Sequence, residues 1–141
     1  MLVRPIVVTT SDEQRLRDLI QRMRDSRPLE PQQEEAINRL EEELARAKIV
    51  HPDQIPADVV TMNTVVLVRA EHSRRTSEWT VVYPEDADFD EGRISVFDPL
   101  GTALLGYHTG DEFEWEMPVG LLRYRVEQVI RQPEASGDYD R

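Results

Sequence analysis

Five acids crowd the stretch Glu85 to Glu91, and three of them, Asp86, Asp88 and Asp90, alternate as the first ligands of a calcium loop would. Such a loop bends at a glycine in its sixth position and closes with a bidentate glutamate in its twelfth. Here the glycine comes one place late, at Gly92, and Phe97 stands where the glutamate belongs, so the run reads as a solvated acidic turn. His51, His72 and His108 show no metal-ligand interval, so neither a metal nor any other cofactor is expected. The chain has no cysteine, which removes disulfides, thiolate nucleophiles and cysteine-ligated clusters. No Gly-x-Ser-x-Gly elbow or phosphate-cradling glycine loop is present, and Trp79 and Trp115 read as core-filling strand residues. Two features survive. One is a tip between two helical patterns, carrying Asp25, Arg27 and Glu30. The other is Ile94 to Gly106, where a strand runs into Phe97, Asp98, Pro99 and Leu100. A strand ending in a capped turn beside an exposed phenylalanine and proline makes a docking surface.

The elements that must position these residues follow from hydrophobic spacing. Thr10-Ser11-Asp12-Glu13 has the form of a capping box, with Ser11 and Gln14 as the alternative one residue later. Leu16, Leu19, Ile20 and Met23 follow at helical intervals, and the helix is expected to stop before Ser26-Arg27-Pro28. Pro31 suits the first position of a second helix, along which Ile37, Leu40, Leu44 and Ala47 form a narrow seam that ends at His51-Pro52. Two helices with so short a link pack antiparallel, giving a hairpin over residues 11–48. Arms of this length span only about 20–27 Å at roughly 1.5 Å per residue.

Beyond residue 58 the period becomes that of strands. The expected strands are Val59–Met62, Val65–Val68, Glu78–Tyr83, Arg93–Val96, Glu112–Met117 and Leu122–Val129. Asp98-Pro99 opens a short helix that closes at Gly106. Pro118-Val119-Gly120 forms a turn, across which Arg123 and Arg125 are expected to face Glu114 and Glu116. Residues 132–141 read as a loose tail. The class is therefore α+β, with a short antiparallel helical hairpin over residues 1–49 and an antiparallel sheet with one short helix over 50–131.

Charge narrows the partners. Net charge is −11, carried mainly by residues 49–141, which hold eighteen acids against eight bases. An acidic surface repels phosphate backbones, so independent DNA binding is not expected; a basic protein partner suits it better. No apolar run is long enough for a bilayer, and Met1–Val8 is too short for a signal peptide, which points to a cytoplasmic protein; a monomer is expected.

The segment Ile94–Gly106 resembles the strand–turn–helix in the C-terminal domain of the Gre transcript-cleavage factors, and the likeness extends over residues 58–131 through Gly110-Asp111, the alternating strand and Val126-Glu127-Gln128-Val129. The whole chain is similar to the Rnk family, the regulators of nucleoside diphosphate kinase. It shares that family's short N-terminal hairpin, Pro56-x-Asp58-Val59-Val60-Thr61-Met62-Asn63, Val82-Tyr83-Pro84, Leu100-Gly101-x-Ala103-Leu104-Leu105-Gly106 and Gln132-Pro133-Glu134-Ala135-x-Gly137-Asp138-Tyr139. The resemblance implies an FK506-binding-protein-like fold for the sheet region without isomerase activity. It further implies docking on RNA polymerase, at the rim of the secondary channel, through Phe97, Asp98, Pro99 and Leu100. The Gre family's Asp-Ser-Pro or Asn-Ser-Pro is Phe-Asp-Pro here, which moves the acceptor by one residue. In the cleavage factors a long coiled coil carries acids to the polymerase active site. The short hairpin of this chain implies a regulator that does not cleave, competes with longer channel-binding factors, and affects the kinase indirectly. The alternatives are a weak cleavage factor, a prolyl isomerase, or a protein that regulates the kinase directly.

Overall fold

The computed structural model describes residues 6–26, 28–117 and 120–137. Two long helices and a five-stranded sheet make up a mixed helix-and-sheet fold. The first strand, β1 (Val7–Thr9), lies parallel to β2 (Lys48–Val50), with Val8 opposite Ile49. Parallel neighbours need a crossover, and here it consists of both helices, α1 (Thr10–Ser26) and α2 (Pro31–Arg46). This ribbon is not among the strands expected from the sequence, because Val7–Thr9 runs straight into α1 and Lys48–Val50 follows straight from α2, with no turn signal to set either apart.

The helix boundaries follow from local chemistry, with one correction. The cap of α1 is Thr9 rather than Thr10: its Oγ1 accepts from the Asp12 amide at 3.0 Å, because β1 continues through Thr9 directly into the helix. Helix α2 begins at Pro31 as expected, and the Glu30 amide donates to the Gln33 side chain at 3.0 Å. Leu16 and Ile20 of α1 are buried with Ile37, Leu40 and Leu44 of α2. Arg24 joins the two helices on the outside, donating to Glu41 at 2.6 and 2.8 Å and to Asn38 at 2.9 Å.

The larger sheet contains β3 (Val65–Ala70), β4 (Thr76–Val82), β5 (Arg93–Ser95), β6 (Glu112–Met117) and β7 (Gly120–Arg131). Its order is β5-β4-β3-β7-β6. Three of its pairings are antiparallel, but β4 and β5 run parallel, so the sheet is mixed rather than wholly antiparallel. The acidic stretch between them causes this. Its two 3-10 turns, Pro84–Asp86 and Phe89–Glu91, carry the chain back to start β5 alongside β4. Helix α3 (Pro99–Leu104) follows β5.

Three further expectations need correction. Val59–Met62 is not a strand: only Val59 makes a bridge, to His108, and Asn63 with φ of 65° turns the chain before β3. In the β6–β7 ladder Glu114 does face Arg123, but Arg125 faces Glu112, and Glu116 faces Leu121. The turn sets that register, because Met117 pairs directly with Gly120. Pro118, Val119 and the Trp115 side chain lie outside the described residues. Lastly, residues 132–137 are not a loose tail. Gln132 is 2% exposed and donates through Nε2 to the carbonyls of Pro56 and Val59, at 2.7 and 2.8 Å. Asp138, Tyr139, Asp140 and Arg141 lie outside the described residues.

One hydrophobic core runs through the molecule. Leu16, Ile20, Ile37, Leu40 and Leu44 from the helices share it with Val66, Val68, Val81, Ile94 and Val126 from the sheet. Leu100, Leu104 and Leu105 bring α3 into the same core. The helix pair is thus seated on the sheet.

Candidate functional site

The turn at residues 97–100 is built to hold one shape. The Ser95 hydroxyl accepts from the Phe97 amide at 3.1 Å, and the Ser95 carbonyl accepts from the Asp98 amide at 2.9 Å. Asp98 caps α3, its Oδ1 accepting from the Leu100 amide at 3.0 Å, as the sequence indicated. Pro99 occupies the first helical position, where a missing N–H costs nothing. Behind the turn, the Thr102 hydroxyl donates to the Val96 carbonyl at 2.6 Å. A Cβ on Gly101 would lie 2.1 Å from the Ser95 carbonyl oxygen, so α3 packs on the end of β5 only because residue 101 has no side chain. Gly106, at φ of 83°, ends α3, and its carbonyl accepts from the Val7 amide of β1 at 3.2 Å.

Of the four residues singled out in this turn, Pro99 is exposed and Phe97 and Asp98 are half-buried. Leu100 is 0% exposed and belongs to the core, so it supports the turn rather than offering a surface. Helix residues facing inward at the first turn have nowhere else to go once Asp98 caps and Pro99 points out. One participant was not anticipated: Arg39 of α2 donates to the Phe97 carbonyl at 3.3 Å, tying the helix pair to the turn.

The tip residues lie apart from this turn in the chain. Asp25 is exposed in the last turn of α1 and accepts from Gln21 at 3.0 Å. Glu30 is exposed at the N-cap of α2, and Arg27 lies outside the described residues. Each described acid is thus engaged with its own helix.

The sequence also missed a buried polar cluster at the base of α1. Asp12 is 1% exposed and its Oδ2 accepts from the Met62 amide at 3.0 Å. Glu134, 8% exposed, accepts from the Thr61 hydroxyl at 2.7 Å, and Thr64 meets Thr61 oxygen to oxygen at 2.8 Å. Burial lifts the Asp12 carboxyl to about 7; the Met62 amide pulls it down and the charge of Glu134 raises it further. Burial also pushes the Tyr83 phenol up. The available signal was the spacing Thr9-x-x-Asp12, itself a capping pattern, but nothing in it announces that the acid faces inward.

With this geometry in place, comparison with known proteins identifies the chain. Residues 55–131 match the family described as "Transcription elongation factor, GreA/GreB, C-term", and residues 4–50 match the one described as "Rnk N-terminus". A "Regulator of nucleoside diphosphate kinase" from Escherichia coli (strain K12) is 41% identical over 101 residues, 71% of this chain and 74% of that protein. A "Transcription elongation factor GreA" from Prosthecochloris aestuarii is 38% identical over 107 residues, 74% of this chain and 67% of that one. Among solved structures, a "Prokaryotic transcription elongation factor GreA/GreB" from Nitrosomonas europaea superimposes with a TM-score of 0.72 at 40% identity, covering 89% of this chain and 99% of the other. The chain belongs to the GreA/GreB transcription elongation factor family and carries an Rnk-type N-terminal segment ahead of that family's C-terminal region.

Proposed function

We propose that this chain is a cytoplasmic transcription regulator, not an enzyme, that docks on RNA polymerase at the rim of the secondary channel. The region from residue 50 to 131 is the docking domain, of FK506-binding-protein-like type. Residues 1–49 form a short antiparallel hairpin that occupies the channel entrance and competes with longer Gre-type factors. The observation that carries this reading is the turn at Phe97, Asp98 and Pro99. It is held from behind by Ser95, Thr102 and Gly101 and from the side by Arg39, and it points Pro99 outward. A surface fixed before binding loses little entropy on docking.

Reach supports the absence of cleavage. Helix α1 has 17 residues and α2 has 16. At about 1.5 Å per residue each arm is about 25 Å long, and catalysis requires position before acidity. Any effect on nucleoside diphosphate kinase is then indirect, through transcription. The name of the Escherichia coli relative favours a second reading, direct regulation of that kinase.

Purified polymerase and purified kinase, each titrated with the chain, separate the two. Asp98→Asn keeps an oxygen to cap α3 while removing the charge, and Asp98→Arg reverses the charge and loses the cap as well. Both are expected to weaken polymerase binding, Asp98→Arg more, with Asp98→Asn melting as wild type does. Unchanged affinity in both variants removes the turn from the interface, and binding to the kinase alone favours the second reading.

A further inference from the structure

Three parts of the chain meet at Asp12: the first turn of α1, the loop 61–64 before β3, and the 3-10 turn Glu134–Ser136 that follows β7. Every hydrogen bond that joins them ends on a carboxylate or a threonine. Asp12 takes the Met62 amide, Glu134 takes the Thr61 hydroxyl, and the Thr64 hydroxyl closes the loop by accepting from the Thr61 amide at 2.9 Å and meeting Thr61 Oγ1. Thr9 of β1 anchors the Asp12 amide from below. Nothing in the docking reading uses this cluster.

We infer that Asp12 and Glu134 form a proton-dependent latch that fastens the 3-10 turn at residues 134–136 to the base of α1. With Asp12 protonated, the two carboxyl groups share a buried site without repulsion. Loss of the Asp12 proton puts a charge into this buried site, where burial and the coulombic effect of Glu134 both oppose it. The charged and titratable neighbours are Arg15 on α1 and Tyr83 at the end of β4. Arg15 offsets the repulsion only in part, because burial and Glu134 together outweigh the groups that favour ionised Asp12.

Of the three parts, the 3-10 turn is the one that yields. Helix α1 is held by Leu16 and Ile20 in the core, and the loop 61–64 is held by Met62 and by the Asn63 amide donating to Val81 at 2.6 Å. Gln132 and the buried Pro133 keep the end of β7 in place, and beyond them the turn is tied by the Glu134 side chain to Thr61 and by the Ser136 amide to the Gln132 carbonyl at 3.3 Å. The released segment is therefore residues 134–137, with the sheet unchanged.

Hydrogen exchange of the amides of residues 134–137, corrected for intrinsic base catalysis, tests this between about pH 5.5 and 8. The wild type is expected to lose protection about tenfold as pH rises, and Asp12→Asn and Glu134→Gln, each keeping its acceptor oxygen, are expected to lose none. Carboxyl carbon shifts provide the second readout, with Asp12 titrating near neutrality in the wild type and lower in Glu134→Gln. Equal pH dependence in wild type and both variants overturns the latch. So does an Asp12 that titrates in the ordinary carboxylate range. Should Asp12→Asn fail to fold, Glu134→Gln alone decides between these outcomes.

Discussion

A carboxyl group without access to water has two ways to lower its energy: find donors or keep its proton. Asp12 does both. It accepts from the Met62 amide, and burial, opposed by that amide and reinforced by Glu134, lifts its pKa from 3.8 to about 7. The fold therefore holds this proton more tightly than the unfolded chain does. The stability that comes from it is complete below about pH 4 and is lost as pH rises through about 7. Urea denaturation followed by circular dichroism is expected to show the midpoint falling between about pH 5 and 8, by a free energy on the order of a few kcal/mol at most. Asp12→Asn flattens that fall; a wild type whose stability rises over the same interval contradicts the assignment. At the same scale the turn at residues 97–100 shows how a polar residue can serve structure and, in the proposed docking, surface together. Asp98 caps α3 with one oxygen while it borders the exposed Pro99, which is why its amide and arginine replacements separate the two roles.

At the scale of elements, α2 joins the parts. Its inner face carries Ile37, Leu40 and Leu44 into the shared core, while Arg39 reaches the Phe97 carbonyl. Leu40 is fully buried, so Leu40→Ala is expected to cost about 2–5 kcal/mol of stability, measured by chemical denaturation. A loss well below that range would mean that the helix pair is not seated on the sheet. These helices were legible in the sequence because seventeen and sixteen residues give several turns of repeating spacing, and because Pro31 and Asp98-Pro99 mark helix starts chemically. Strands β3, β4, β6 and β7 were legible for the same reason, each having six residues or more. The ribbon of β1 and β2 was not, since its strands abut α1 and α2 without a turn signal and are held by distant neighbours, the Gly106 carbonyl taking the Val7 amide and the Ile6 carbonyl the Lys48 amide. Nor was the parallel pairing of β4 with β5, which depends on where two 3-10 turns deliver the chain. Gln132 and Glu134 looked like tail residues because polar side chains are ordinarily exposed; their partners Pro56, Val59 and Thr61 are over seventy residues away. The turn at residues 97–99 could be found from its capping signature, but the burial of Leu100 and the reach of Arg39 are products of tertiary packing.

For the whole molecule the governing quantities are charge and length. A net charge of −11, with most of it beyond residue 49, suits a basic protein surface and opposes nucleic acid, so the partner is expected to be protein. Helices of about 25 Å fit the proposed role at an entrance rather than at a buried catalytic centre. The most direct test adds the chain to a backtracked polymerase complex that carries a fluorescently labelled long-armed Gre factor, and follows release of the label and RNA length together. The label is expected to be displaced while the transcript keeps its full length. A transcript shortened by the wild-type chain and spared by Asp25→Ala or Glu30→Ala would contradict it, as would a labelled factor that stays bound at saturating chain.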